Sequence, residues 1–354
     1  MIETSIRDVF AATHRDVRLL DAHDPDGVVE YLLAHGVIQP DDLPARVERA
    51  GEGNMNLTLR VVSRRVSTIV KQGRPWVEKY DHIHAPWDRT LVEAAFYRAV
   101  ADVPTVAGRM PRLLRVDEHN HVLVIEDLGT AGDFTGVYAG AGLGNRVLNE
   151  LLGWLSELGA VRIPVNGCGV LANREMRRLN HEHIFSLPLR TENGLDLDRI
   201  TKGLTRAAES LKADREYVWR VGELGEVYLA DGDRLVHGDY FPGSWMHSAD
   251  GTRIIDPEFC FCGAREFDHG VMLAHCALAR TAASTGRLIL EAAGRDGLDT
   301  SVLLGFAGTE IMRRLIGVAQ LPLQYGLDEK RRLLEMSATF VLRPERGLAR
   351  WIEA

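Results

Sequence analysis

The sequence predicts an α+β protein of two unequal lobes, a small mostly-β one followed by a larger mostly-α one. Three observations predict it. A chain of 354 residues exceeds one ordinary core and suits two, each burying its own apolar face. Runs rich in valine, leucine and threonine gather before residue 127, and segments of 3.6-residue periodicity dominate after it. The boundary is therefore placed at 126, giving lobes 1–126 and 127–354.

The elements follow in order. In "DPDGVVEYLLAHGVI", Val28, Val29, Leu32 and Leu33 share one side of a helical period, with Asp24 or Asp26 available as cap. "NLTLRVV" and "VSTIVKQ" flank the polar turn Ser63-Arg64-Arg65 and read as a hairpin entered through the glycine-rich "GEGNMN". "TLVEAAFYRAV" (Thr90 to Val100) is helical. "HVLVIEDLG" is a compact apolar strand ending in Glu126-Asp127. Beyond it, "RVLNELLGWLSELGAV" and "RITKGLTRAAESLKA" are amphipathic helices, and helices dominate again after Asp268.

Composition excludes several classes. Hydrophobic residues at 45% and charged residues at 26% are ordinary for a globular chain, without low-complexity blocks. A formal net charge of −8 argues against nucleic-acid or anionic-membrane surfaces. No segment offers the ~20 apolar residues of a membrane helix, and "MIETSIRDVF" lacks a basic start followed by an apolar run, so a cytoplasmic protein is expected. Cys168, Cys260, Cys262 and Cys276 do not pair at zinc spacing and read as small apolar residues; His82, His84, His181 and His183 read as solvated or structural.

The chemistry concentrates in "LVHGDYFPGSWM" and "RIIDPEFCFCG". Between them "SWMHSADGTRIID" carries an Asp-Gly turn joining two short strand-like runs. A hairpin there returns Asp256 to the end where Ser244 leaves, with Asp239 just upstream. Asp256, Glu258 and Ser244 then offer the hard oxygen ligands that Mg²⁺ takes beside a nucleotide, and Asp239 faces an incoming hydroxyl. Upstream, Gly51 and Gly53 would let backbone N–H groups approach phosphate oxygens, although "GEGNMN" fits neither the Walker nor the dinucleotide pattern. Lys71 on the strand after this turn, followed by Glu93 on the next helix, is the order in which kinase-like folds hold nucleotide phosphates.

Gly51-Glu52-Gly53-Asn54, Lys71, Glu93, His237-Gly238-Asp239 and Asp256-Pro257-Glu258 together resemble the aminoglycoside phosphotransferase and choline kinase superfamily, and within it the methylthioribose kinases above all. The likeness covers most of the chain, through "VKQGRPWV", "HGDYFPGS", "IIDPEFCFCGAREFDHG" and "IMRRLIGVAQ". It implies a protein-kinase-like fold, ATP and Mg²⁺ as cofactors, and transfer of the γ-phosphate to a small-molecule hydroxyl acceptor, methylthioribose or a related ribose-like compound.

By position, the resemblance implies Asp239 as catalytic base or hydroxyl-orienting residue, and Ser244, Asp256 and Glu258 as the magnesium set. Gly51, Gly53 and Asn54 fall in the glycine loop, Lys71 contacts phosphate and is positioned by Glu93, Glu126 to Leu128 form the hinge beside adenine, and Arg313 and Arg314 reach the sugar. Without the resemblance the two arginines read as an exposed helix face. Methylthioribose kinases also make a homodimer plausible. Tyr240-Phe241-Pro242, Trp245, Cys262 to Arg265 and His269 depart from that family, and the first four of these add bulk beside the acceptor. An antibiotic or other hydroxylated-metabolite kinase is the second reading, and a nucleotide-binding pseudokinase the third.

Overall fold

The computed structural model describes residues 5–51, 55–130, 132–347, 349 and 351. They form two compact units, Met1–Thr130 with Pro257–Phe259, and Ala131–Asp256 with Cys260–Ala354.

The first unit is built on five strands, β1 (Arg46–Arg49), β2 (Leu57–Val62), β3 (Ser67–Gln72), β6 (Leu113–Asp117) and β7 (Val122–Glu126), which form an antiparallel sheet of order β1-β2-β3-β7-β6. A separate hairpin pairs β4 (Trp76–Val77) with β5 (Tyr80–His84). Helices α1 (Ile6–Thr13), α2 (Pro25–Ala34), α3 (Arg89–Val100) and the short α4 (Pro104–Ala107) complete the unit. Along β2 every second residue is buried, so Leu57, Leu59 and Val61 share one face of the pleat. They pack with Val70 of β3, Val122 and Val124 of β7, and Val28, Tyr31 and Leu32 of α2. Each such side chain contributes about 1.5–3 kcal/mol by leaving water, so Leu59→Ala at the centre would cost ~2–5 kcal/mol. α2 starts where the acidic cap was expected: Asp24 accepts the Gly27 N–H at 3.0 Å, and Pro25 supplies the helical φ. Because successive side chains alternate, Lys71 leaves β3 on the face opposite Val70, the face on which α3 lies against β6 and β7.

The second unit is mostly helical: α5 (Asn145–Ala160), α6 (Arg174–His181), α7 (Leu204–Ala213), α8 (Arg215–Leu229), α9 (Glu266–Leu278), α10 (Ala283–Arg295), α11 (Thr300–Ile316) and α12 (Leu327–Leu342). Two small ladders join them, β8 (Leu235–Val236) with β11 (Phe261–Cys262) and β9 (Trp245–Ser248) with β10 (Gly251–Ile254). Helix α9 is buried continuously from Phe267 to Leu278, as expected of a helix enclosed on every side. Gly270 lets α11 approach it, since a Cβ there would meet Phe306 Cβ at 2.7 Å and the Leu303 carbonyl at 2.8 Å. The β9–β10 pairing sets Ser248 opposite Gly251, the hairpin predicted from Asp250-Gly251. The segment read as one helix from Arg199 instead begins α7 at Leu204, because Gly203 takes φ +88 and interrupts the turn. None of the described helices is long and apolar enough to cross a membrane.

Candidate active site

In the first unit the Lys71 ammonium donates to both oxygens of Glu93, at 2.7 and 3.0 Å, with both side chains almost wholly buried. The β3 register, with Thr58 and Leu123 on either side of Lys71, fixes where that ammonium stands. Gly51 adopts φ +65 at the entrance to β2, whereas Gly53 and Asn54 lie outside the described residues. Glu126 ends β7 and accepts the Arg112 backbone N–H at 3.2 Å. Next to it, Asp127 accepts from Ser67 Oγ at 2.5 Å and Arg60 Nη2 at 3.0 Å, which ties down the segment leading to Leu128.

Glu258 also belongs to this unit: its Oε2 accepts from Asn56 Nδ2 at 2.7 Å and lies 3.8 Å from Arg89 Nε. Arg89 is itself fully buried and donates to the carbonyls of Met55, Arg74, Trp76 and Pro86. Burial pushes its guanidinium down to about 10, a shift that Glu258 and Glu78 oppose.

In the second unit the loop after β8 carries His237-Gly238-Asp239. Asp268, in the first turn of α9, accepts the N–H groups of His237 at 2.7 Å and Gly238 at 2.9 Å. Gly238 makes the bend at φ +86, a region that costs a side-chain-bearing residue energy. The imidazole of His237 closes the loop: Nε2 donates to the Ile255 carbonyl at 3.0 Å, and Nδ1 accepts the Asp239 N–H at 3.3 Å. Ser244 Oγ then donates to the Asp239 carbonyl at 2.8 Å, and the Ile255 N–H returns to the Ser244 carbonyl at 3.0 Å. Asp239, Ser244 and the approach to Asp256 are thus held within one short circuit of hydrogen bonds. Asp256 takes φ +63, a left-handed conformation that aspartate tolerates better than most residues.

The helix α11 turns Arg313 and Arg314 inward rather than to solvent, with only 12% and 9% of their side chains exposed. Arg314 Nη2 lies 3.6 Å from Asp239 Oδ1, and its guanidinium stacks over the Phe241 ring at 5.1 Å. Glu310 joins the pair: Oε1 accepts from Arg314 Nε at 2.7 Å and Arg313 Nη2 at 3.0 Å, and Oε2 accepts from Arg313 Nε. His275 Nε2 meets the same Oε1 at 3.0 Å, and Tyr138 Oη meets His275 Nδ1 at 2.5 Å. Of the bulky residues beside this site, Trp245 is core, packed on Tyr240 and Phe134, whereas Phe241 faces Arg314 and His275.

Electrostatics suit a carboxylate that handles a hydroxyl proton. Burial raises the Asp239 pKa above the ordinary carboxylate value, Arg314 and Arg313 pull it down, and Glu310 and Asp256 push it up again. Asp256 stands close enough to raise the Asp239 pKa, and a repulsion between like carboxylates is one that a divalent cation would relieve. The donor set suits Mg²⁺ in this chemical sense, although among the described residues no three His, Cys, Asp or Glu side chains cluster as a preformed metal site.

Arg89, Asp268, Glu310, His275 and Tyr138 escaped the sequence reading. Each is a buried polar residue with at least one partner on another element, and only the density of polar residues on otherwise apolar α9 and α11 hints at three of them.

The fold and this constellation define a phosphotransferase class. The chain belongs to the phosphotransferase enzyme family, matching it over residues 47–300. It is 26% identical to a methylthioribose kinase of Exiguobacterium sibiricum, covering 85% of this chain and 88% of that one. Identity is again 26% to a methylthioribose kinase of a Geobacillus species, over 91% and 90% of the two chains. Among solved structures it resembles the gentamicin complex of APH(2")-IIa, with TM-score 0.51, 14% identity, and 94% and 99% of the two chains covered. It also resembles AMP-bound spectinomycin phosphotransferase APH(9)-Ia, with TM-score 0.51, 12% identity and 93% of each chain covered. The protein is an ATP-dependent small-molecule kinase with the protein-kinase-like fold.

Proposed function

We propose that the acceptor is a ribose-like sugar, methylthioribose or a close relative, and that Asp239 is the residue that orients its hydroxyl. The observation that carries this reading is the inward-turned Arg313–Arg314 pair beside Asp239, with Glu310 paired to both arginines. Two arginines, Glu310 and Asp239 sum to no net charge, which suits an uncharged polyhydroxyl acceptor better than an anionic or polycationic one. The methylthioribose kinases among its relatives support the same acceptor.

In this reading each residue contributes positioning or charge, since phosphoryl transfer asks little covalent chemistry of the protein. Lys71, held by Glu93, offsets phosphate charge, with Gly51, Gly53 and Asn54 supplying the glycine turn and Glu126 to Leu128 the adenine edge. Ser244, Asp256 and Glu258 would hold Mg²⁺, which when bound neutralises charge on the phosphate oxygens. Asp239 accepts a hydrogen bond from the acceptor hydroxyl, aligns it and takes its proton as the new P–O bond forms and the bond to the ADP oxygen breaks. Its raised pKa makes it a better proton acceptor than an ordinary aspartate. Arg314, fixed on Phe241 and Glu310, donates to sugar oxygens. The lobes are proposed as 1–126 and 127–354, the setting as the cytoplasm and the assembly as a homodimer.

The test is mass-spectrometric detection of product from purified protein with Mg²⁺-ATP and methylthioribose, ribose, 5-deoxyribose, nucleosides, choline and aminoglycosides, with Asp239→Asn as control. Phosphorylated methylthioribose that disappears in the control supports the reading. Product from choline or an aminoglycoside but not from a ribose-like compound would overturn it and assign the Phe241 ring to a different acceptor; Tyr240, stacked on Trp154, is core.

A further inference from the structure

Behind the acceptor arginines runs a buried polar chain that the phosphoryl-transfer reading leaves unused. Glu310 accepts from Arg313, Arg314 and His275, so both its oxygens are engaged. Burial by itself would raise its pKa, but Arg313, Arg314 and His275 hold it well below the ordinary carboxylate value, and it is ionised. An ionised carboxylate can only accept, so His275 must present Nε2–H to it. Burial also pushes the imidazole down to about 4, which leaves it neutral at pH 7 and its Nδ1 bare. That nitrogen can only accept, and Tyr138, whose phenol burial keeps protonated, donates to it. Every proton in the series Tyr138 to His275 to Glu310 is therefore assigned, and the series ends on the Arg314 Nε–H. Arg314 has one edge on Glu310 and another at 3.6 Å from Asp239.

We infer that Glu310, oriented through His275 by Tyr138, is a positioning residue that aims the Arg314 guanidinium at Asp239 and the acceptor. An arginine flexes about four side-chain torsions, and burying one in a single rotamer costs up to ~2 kcal/mol of entropy unless its hydrogen bonds select that rotamer. Three sources of selection meet on Arg314: the Glu310 carboxylate, the Phe241 face and the Ala319 carbonyl at 3.3 Å. Of these, Glu310 is the one braced in turn by a buried hydrogen-bonded pair, His275 and Tyr138. Loosening the brace leaves Arg314 present and charged but free to rotate away. The inference rests on the assignment of Asp239 as the hydroxyl-orienting residue.

The experiment compares the full-length wild type with His275→Phe, His275→Gln, Tyr138→Phe and Glu310→Gln, and with Asp239→Asn as control. Steady-state kcat and KM are measured with Mg²⁺-ATP and methylthioribose, and the Arg314 Nε–H is followed by ¹⁵N NMR, assigned through Arg314→Lys. His275→Phe is expected to lower kcat/KM for methylthioribose by about 10- to 100-fold, the range set by one charge-assisted hydrogen bond, while KM for ATP stays within about twofold. The Arg314 Nε–H should exchange faster in that variant. His275→Gln, whose amide keeps a donor towards Glu310, should recover most of both signals, which a loss of packing alone would not do. Where Glu310→Gln fails to fold, His275→Phe and Tyr138→Phe carry the test. The inference falls if His275→Phe leaves kcat/KM and Arg314 exchange as in the wild type while Asp239→Asn is inactive. If Asp239→Asn retains turnover, or methylthioribose is not phosphorylated at all, the acceptor-site reading fails instead, and the Arg314 exchange rates alone still decide whether Glu310 and His275 position it.

Discussion

Lys71 and Glu93 form a two-pronged ion pair, 2.7 and 3.0 Å, sealed from solvent within the first unit. Such a pair is costly to break from one side, because the remaining charge stays buried. Lys71→Ala should therefore lose about 3–5 kcal/mol of stability in urea denaturation, in addition to its effect on nucleotide binding. Lys71→Met combined with Glu93→Leu should recover much of that stability yet not the ATP affinity, which calorimetry would read separately.

Asp239→Asn keeps the shape of the loop, because its backbone bonds to His237 and Ser244 do not involve the carboxylate. Turnover should fall by about 10²- to 10⁴-fold, the range of a lost general base, with little change in the Kd for ATP. Calorimetry that found ATP binding abolished while turnover survived would remove Asp239 from this role.

A pH dependence follows from His275. Its folded pKa, pushed down to about 4 by burial against the counteracting Glu310, lies below the ordinary 6.5. Between those values the unfolded chain binds a proton that the folded chain does not, so stability rises with pH across that interval and is lost as pH falls from 6.5 towards 4. The slope from this one group is at most about 1.4 kcal/mol per pH unit. Urea midpoints at about pH 5 and pH 7, chosen either side of an ordinary histidine, should differ less in His275→Gln than in the wild type. Equal differences would show that other groups govern the acid limb.

Chelation of Mg²⁺ should stop phosphoryl transfer, and Asp256→Asn should raise the Mg²⁺ concentration needed for half-maximal rate by about tenfold or more. Asp256→Glu separates charge from backbone: it retains the carboxylate but must enter φ +63, where a longer side chain costs ~1–2 kcal/mol that asparagine largely avoids. A thermal melt lowered in the glutamate variant but not in the asparagine variant would distinguish the two effects.

What could be read from the sequence was local. The Asp24 cap, the Ser63-Arg64-Arg65 turn and the Asp250-Gly251 hairpin are each specified within a few residues, and the structure forms all three. The Lys71 and Glu93 pairing was visible as well, since a strand and the helix after it have a limited choice of contact. Arg89 and Glu310 gave no such signal. Their spacing is that of any helical charge, and their burial depends on Met55 and Glu258 in one case and on His275 in the other, far away along the chain. Trp245 and Phe241 show the same limit: both are aromatic and close in sequence, yet one fills the core and the other caps an arginine.

Helix α9 carries both Asp268, which holds the His237-Gly238 backbone, and His275, which braces Glu310. Two turns of one buried rod, about 10 Å, therefore link the residue that holds the His237-Gly238-Asp239 loop to the one that contacts Glu310. Glu310 and Arg314 stand on α11, so a core substitution that shifts α9 against α11 would disturb the His237-Gly238 backbone and the His275–Glu310 contact at once. The close approach at Gly270 therefore leaves little room for drift: a larger side chain there would act on both the loop and the brace through a single displacement.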